Sequence, residues 1–107
     1  MGGGASASKA AELASRVLAG MTSPILGARE LSRLLASLGC DLDDPDYRTF
    51  VGIDSETDAL PVGRTREHWA PEALAEKAAD IARAEKWAIE FGRDAFANVV
   101  ARFGKAV

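Results

Sequence analysis

One cysteine, one histidine and no long apolar run are the shortages of this 107-residue chain, and each closes a class of function. Cys40 has no second thiol, so neither an intramolecular disulfide nor a cysteine-based zinc site can be built. It follows Gly39 at an expected helix end and precedes Asp41, a setting that raises a thiol's pKa rather than activating it, so Cys40 reads as a small buried apolar residue. His68 stands beside Trp69 with no serine and acid arranged around it and no second ligand at zinc spacing. Its expected role is packing or a surface hydrogen bond. No apolar stretch is long enough for a secretory core or a membrane span, so the expectation is a cytoplasmic protein without a membrane partner. Gly2, Gly3 and Gly4 follow no strand, which argues against a nucleotide loop. No basic stripe with interleaved aromatics appears, which argues against nucleic acid. No cofactor is implied.

What is present is ordinary globular material: 48% hydrophobic and 27% charged residues, enough for one helical domain over 1–107 with a modest core. Residues 1–7, rich in glycine, are expected to be loose. The net charge of −3 is unevenly placed. Residues 1–39 carry four basic and two acidic side chains, and residues 61–107 carry eight and seven. Residues 40–60 set Arg48 against seven acids: Asp41, Asp43, Asp44, Asp46, Asp54, Glu56 and Asp58. A basic protein partner or a divalent cation matches such a segment.

The periodicity predicts an all-α fold. A first helix is expected over about Ser8 to Ala19, with Ala10, Leu13, Ala14, Val17, Leu18 and Met21 on one side and Gly20 ending it. Thr22-Ser23-Pro24 supplies a hydroxyl cap and a proline at the first helical position. The second helix then runs to about Leu38, burying Gly27, Ala28, Leu31, Leu34, Leu35 and Leu38, with Gly39 closing it. The short connection makes these two an antiparallel hairpin, and Gly27 allows another helix to approach. Residues of about 40–70 read as an irregular acidic loop in which Asp44-Pro45-Asp46 caps a short turn through Phe50. A third helix from Pro71 to Phe103 would be about 50 Å long, so it should bend or break near Gly92, or project and be covered by self-association.

On that last helix Leu74, Ala78, Ile81, Ala82, Ala88, Ile89, Gly92, Phe96, Val99, Val100 and Phe103 make one apolar stripe, and Glu85 falls at its centre. A carboxylate there needs a partner. The preferred reading is an ion pair or hydrogen-bonded carboxylate, with Arg29, Arg64, Arg66 or His68 as candidate partners; a ligand pocket beneath the 54–70 loop and a subunit interface are the alternatives. Under the preferred reading Glu85→Ala destabilises markedly and Glu85→Gln mildly. Asp54, Glu56 and Asp58 alternate like the start of a calcium loop, but Ala59 and Thr65 occupy the positions that need glycine and glutamate. Capping of a turn is the plainer reading, with a metal site using these acids and His68 as the alternative. Trp87 and Phe91, four residues apart and off the main stripe, are expected to be covered by the 50–70 segment; a binding surface or dimer seam is the alternative.

The run from Phe50 through Val51-Gly52-Ile53-Asp54-Ser55-Glu56-Thr57-Asp58-Ala59-Leu60-Pro61-Val62-Gly63, with Arg66, His68-Trp69, Pro71-Glu72 and Gly27-Ala28-Arg29, resembles a group of small bacterial proteins without an assigned activity. The resemblance implies a bacterial cytoplasmic helical protein and carries over no catalytic residue. In size and charge the chain is also similar to bacterial immunity proteins. The resulting expectation is a non-enzymatic interaction or regulatory protein with an acidic surface for a basic partner. Its binding residues would come from Asp54, Glu56, Asp58, Arg66, His68, Trp69, Glu85, Trp87 and Phe91, with a homodimer through the C-terminal helix compatible. The alternative is a metal- or small-ligand-binding module, or an enzyme, with a carboxylate site around Glu85 and Asp54–Asp58.

Overall fold

The computed structural model of the chain describes residues 2–60 and 70–104. Among them are four helices: α1 (Gly2–Leu18), α2 (Pro24–Ser37), α3 (Pro45–Thr57) and α4 (Pro71–Phe103). Their ends follow local chemistry. Gly20 (φ 77°) and Gly39 (φ 91°) take the left-handed conformation after α1 and α2. Met21 N–H then reaches Arg16 O at 2.9 Å and Cys40 N–H reaches Leu35 O at 3.0 Å, the six-to-one bonds of a glycine-terminated helix. Ser23 Oγ accepts from the amides of Ile25 (3.2 Å) and Leu26 (3.3 Å), and Pro24 stands where a missing N–H costs nothing.

The fold is all-α, with the α1–α2 hairpin packed on the long α4. The core joins Ala10, Ala14 and Val17 of α1, Ile25, Ala28, Leu31 and Leu35 of α2, Phe50 and Ile53 of α3, and Ala88, Ala95, Phe96 and Val99 of α4. Phe50 and Phe96 meet at its centre, ring centroids 5.1 Å apart. Gly27 lets α1 and α2 approach closely, since a β-carbon there would collide with Val17 Cγ2.

Three expectations change. First, α1 begins at Gly2, not Ser8; the glycine tract is helical despite costing about 1 kcal/mol per residue. Second, the 40–70 segment is not a continuous irregular loop, because α3 occupies Pro45–Thr57. Asp44 Oδ1 caps it through the amides of Asp46 (3.0 Å) and Tyr47 (3.2 Å), and burial of Phe50, Ile53 and Thr57 carries the helix past the expected single turn. Gly52, Thr49 and Ser55 are weak helix formers, so tertiary packing overrides local preference here. Third, of the alternatives for the last helix the break at Gly92 is not taken, since α4 is continuous from Pro71 to Phe103. A β-carbon at Gly92 would lie 2.9 Å from Ile53 Cδ1, so this glycine admits α3 against an unbroken helix. The cost of that continuity is reach: the molecule extends 46 Å along its longest axis with a radius of gyration of 14.2 Å. No residue from Pro71 to Trp87 is buried, and the first buried side chain of α4 is Ala88. Leu74 and Ile81 of the predicted stripe are only half-buried, and Ala78 and Ala82 are exposed.

Candidate functional site

The acidic residues of the middle segment divide into those consumed by the fold and those left outward. Arg102, near the C-terminus of α4, holds two of them. Its Nη2 lies 2.9 Å from Asp44 Oδ2, and its Nη1 lies 3.1 Å from Asp46 Oδ2. Asn98 Nδ2 donates to the other oxygen of Asp46 at 3.0 Å. This cluster pins the start of α3 to the end of α4 and also stabilises the negative C-terminal pole of α4. Burial alone would push the Asp44 carboxyl up, but hydrogen bonds from Arg102 and from the Tyr47 and Asp46 amides outweigh it and hold it below the usual carboxylate range. The Arg102 guanidinium is raised by the hydrogen bond to Asp44, with desolvation opposing. Burial, then the Asp44 charge, push the Cys40 thiol up, against a weaker pull from Arg102 Nη2 at 3.8 Å. That is the unreactive cysteine the sequence implies.

Arg29 of α2 takes a third carboxylate. Its Nε lies 3.2 Å from Asp54 Oδ1, within ion-pair range though not aligned as a hydrogen bond, and its Nη2 donates to the Thr57 carbonyl at 2.5 Å. Arg29 is therefore engaged by α3 and is not the partner of Glu85. Thr57 is buried and returns its own hydroxyl to Ile53 O at 2.7 Å. What remains exposed between residues 41 and 58 is Asp41, Asp43, Glu56 and Asp58, with Arg48 as the only exposed cation.

Glu85 is half-buried and does face the body of the protein, as the helical phase predicts, but its partner is a hydroxyl and not a cation. Ser23 Oγ donates to both carboxylate oxygens, each at 2.8 Å. The same Oγ accepts the two amides at the start of α2, so Glu85 places its negative charge one atom beyond the positive pole of that helix. A depression of about 430 Å³ opens beside the pair, lined in part by Val17, Met21, Lys86 and Ile89. A hydroxyl whose lone pairs are occupied by backbone amides is a poor nucleophile, so this constellation is a polar clasp between α2 and α4.

Trp87 and Phe91 are not covered by the described part of the 50–70 segment; its residues 61–69 lie outside the described residues. Their rings stack with centroids 5.1 Å apart and planes 14° from parallel, and they remain 38% and 53% exposed. Gly52, Ser55 and Glu56 of α3 flank them without covering them.

The carboxylates that the alternative reading would gather around a metal do not come together among the described residues. In a helix, residues two apart point about 200° apart, so Asp54 and Glu56 diverge. Glu85 is held by Ser23, Asp54 by Arg29, and among the described residues no three His, Cys, Asp or Glu side chains lie together as a metal would need. Arg66, His68 and Trp69 lie outside the described residues, as does Arg64. Sequence reasoning missed Arg102 and Asn98 as partners of the acidic segment. It identified Ser23 only as a cap; the usable signal was that a capping hydroxyl keeps a proton to donate beside a pole that attracts anions. Compared with family models, with curated proteins and with solved structures, the chain matches none.

Proposed function

We propose that this chain is a non-enzymatic interaction protein, of an immunity or regulatory kind, whose acidic surface meets a basic protein partner. The observation that carries this reading is the charge left over after folding. Asp44, Asp46 and Asp54 are taken by Arg102 and Arg29, while Asp41, Asp43, Glu56 and Asp58 stay exposed against Arg48 alone. These four are in no ion pair among the described residues, although Asp41 Oδ1 accepts the Asp43 amide at 2.9 Å, so their charges are available to steer and hold an oppositely charged surface. No helix among the described residues is long and apolar enough to cross a membrane.

The test is capture of partners from native extract by immobilised protein, identified by mass. A basic partner retained at low salt, released at high salt, indifferent to chelator and lost when Asp41, Asp43, Glu56 and Asp58 are all neutralised supports the reading. Thermal stabilisation by a divalent metal or small ligand, with no salt-sensitive partner, refutes it in favour of a ligand-binding module.

A homodimer through α4 is a second reading, compatible with the first. It is favoured by the first half of that helix, where Leu74 and Ile81 find only partial cover and nothing is buried before Ala88. Light scattering that gives the mass of one chain at all concentrations removes it.

A further inference from the structure

We infer that the groove between α3 and α4 seats an arginine side chain of the basic partner, with Trp87 and Phe91 as its platform and Glu56 as its counter-ion; this rests on the basic-partner reading above. Trp87 and Phe91 sit one turn apart and stack on each other, so the apolar plate they offer to solvent is the outer face of one ring backed by the other. The buried residues of α4, Ala88, Gly92, Ala95, Phe96 and Val99, lie on another flank, so the core does not need this plate. Exposed stacked aromatics of this size are a signature of recognition.

The opposite wall is built to leave the plate open. Gly52 of α3 faces Phe91, and a β-carbon there would already touch Phe91 Cε2 at 3.9 Å, so a larger side chain would crowd the ring. Beside it stand the Ser55 hydroxyl and the Glu56 carboxylate. These residues enclose a depression of about 270 Å³ in which Glu56 is the only charged lining residue. Glu56 is exposed, and among the described residues it enters no ion pair. An adjoining depression of about 260 Å³ shares Glu56 and Trp87 and ends at Arg83, whose guanidinium is already paired with Asp80. Asp80, Trp87 and Asp94 are spaced by seven, so both acids lie along the same flank of α4 as the indole, each about 10 Å from it along the axis. Of these two acids Asp80 is already paired with Arg83 and Lys77, and Asp94 enters no ion pair among the described residues.

That combination selects the occupant. An anionic ligand would meet Glu56, and a purely apolar segment would strip Glu56 of water without replacing it. A guanidinium is planar and weakly hydrated, so it can stack on the rings and donate to the carboxylate at once; a lysine ammonium surrenders more hydration for a less directional contact.

The experiment uses the full chain, labelled with ¹⁵N, titrated with an eight-residue arginine peptide and with lysine and glutamate peptides of the same length, following the indole N–H resonance of Trp87. The arginine peptide is expected to shift that resonance and to bind several-fold more tightly than the lysine peptide. Trp87→Leu and Glu56→Gln are each expected to weaken arginine-peptide binding about five-fold, as loss of one exposed cation–π contact or ion pair implies. Glu56 is on the surface, so Glu56→Gln remains decisive if Trp87→Leu does not fold. Arginine-peptide binding that leaves the Trp87 resonance and the Glu56→Gln affinity unchanged overturns the groove assignment while sparing the basic-partner reading. Equal affinity for the lysine peptide overturns the choice of arginine. Equal binding of the glutamate peptide, or a Trp87 shift on dilution without peptide, overturns the site as a cation seat. Failure of both basic peptides to bind removes the basic-partner reading as well.

Discussion

Replacing Ser23 with alanine removes two interactions through one atom, because Oγ both caps α2 and donates to Glu85. Loss of the cap costs about 1 kcal/mol. Loss of a hydrogen bond to a charged group costs about 1.5 to 3 kcal/mol when buried. Glu85 is half-buried beside an open depression that admits water, so a share of about 1 kcal/mol is the appropriate figure. Ser23→Ala should therefore destabilise by about 2 kcal/mol, lowering the thermal midpoint by roughly 8 to 16 °C for a domain of this size. Glu85→Ala should cost about 1 kcal/mol, since it strands a hydroxyl that water can reach and not a buried cation. Glu85→Gln keeps an acceptor and loses only the attraction to the α2 pole, about 0.5 kcal/mol. The double variant isolates the contact: urea unfolding of the two single variants and the pair should give a coupling energy of about 1 kcal/mol. Additive losses, with coupling near zero, would refute the clasp, as would a Glu85→Ala midpoint equal to that of the parent.

The Arg102 cluster predicts a dependence on acid. The Asp44 carboxyl is held low in the folded state, so as pH falls the unfolded chain takes up this proton first; the associated stability is whole above the unfolded carboxylate range near pH 4 and is lost as pH drops below it. Arg102→Ala, which leaves Asp44 and Asp46 without their cation, should destabilise by about 2 kcal/mol at neutral pH and by much less at pH 2, read by urea midpoints at the two pH values. Gly27→Ala should destabilise by about 1 to 2 kcal/mol despite the better helix propensity of alanine, because its β-carbon meets Val17 Cγ2; an unchanged urea midpoint would show that α1 yields freely. Phe96→Ala, which empties the fully buried position against Phe50, should cost about 3 to 5 kcal/mol and reduce the cooperativity of unfolding.

Several features were legible from the order of residues because their causes span only a few positions. Ser23 followed by Pro24, Asp44 by Pro45, and the glycines at 20 and 39 place helix ends through bonds that close within six residues. The helical phase of α4 likewise put Glu85 on the side facing the rest of the protein, and the off-stripe position of Trp87 and Phe91 was visible in the same way. Whether those rings would be roofed was not, because the answer depends on which α3 residues arrive opposite them, and these are Gly52, Ser55 and Glu56.

The sequence by itself determined the helical class, the places where the first two helices stop, and the excess of carboxylates in the middle of the chain. Tertiary structure decided how far α3 extends and which carboxylates are spent. Asp46 meets Arg102 across 56 positions and Ser23 meets Glu85 across 62, and no local preference ranks one distant cation or hydroxyl over another. The Arg102 pairings follow from the packing of Phe50, Ile53 and Phe96, which sets the height of α3 against α4, and the Ser23–Glu85 pairing from the seating of α2 on α4.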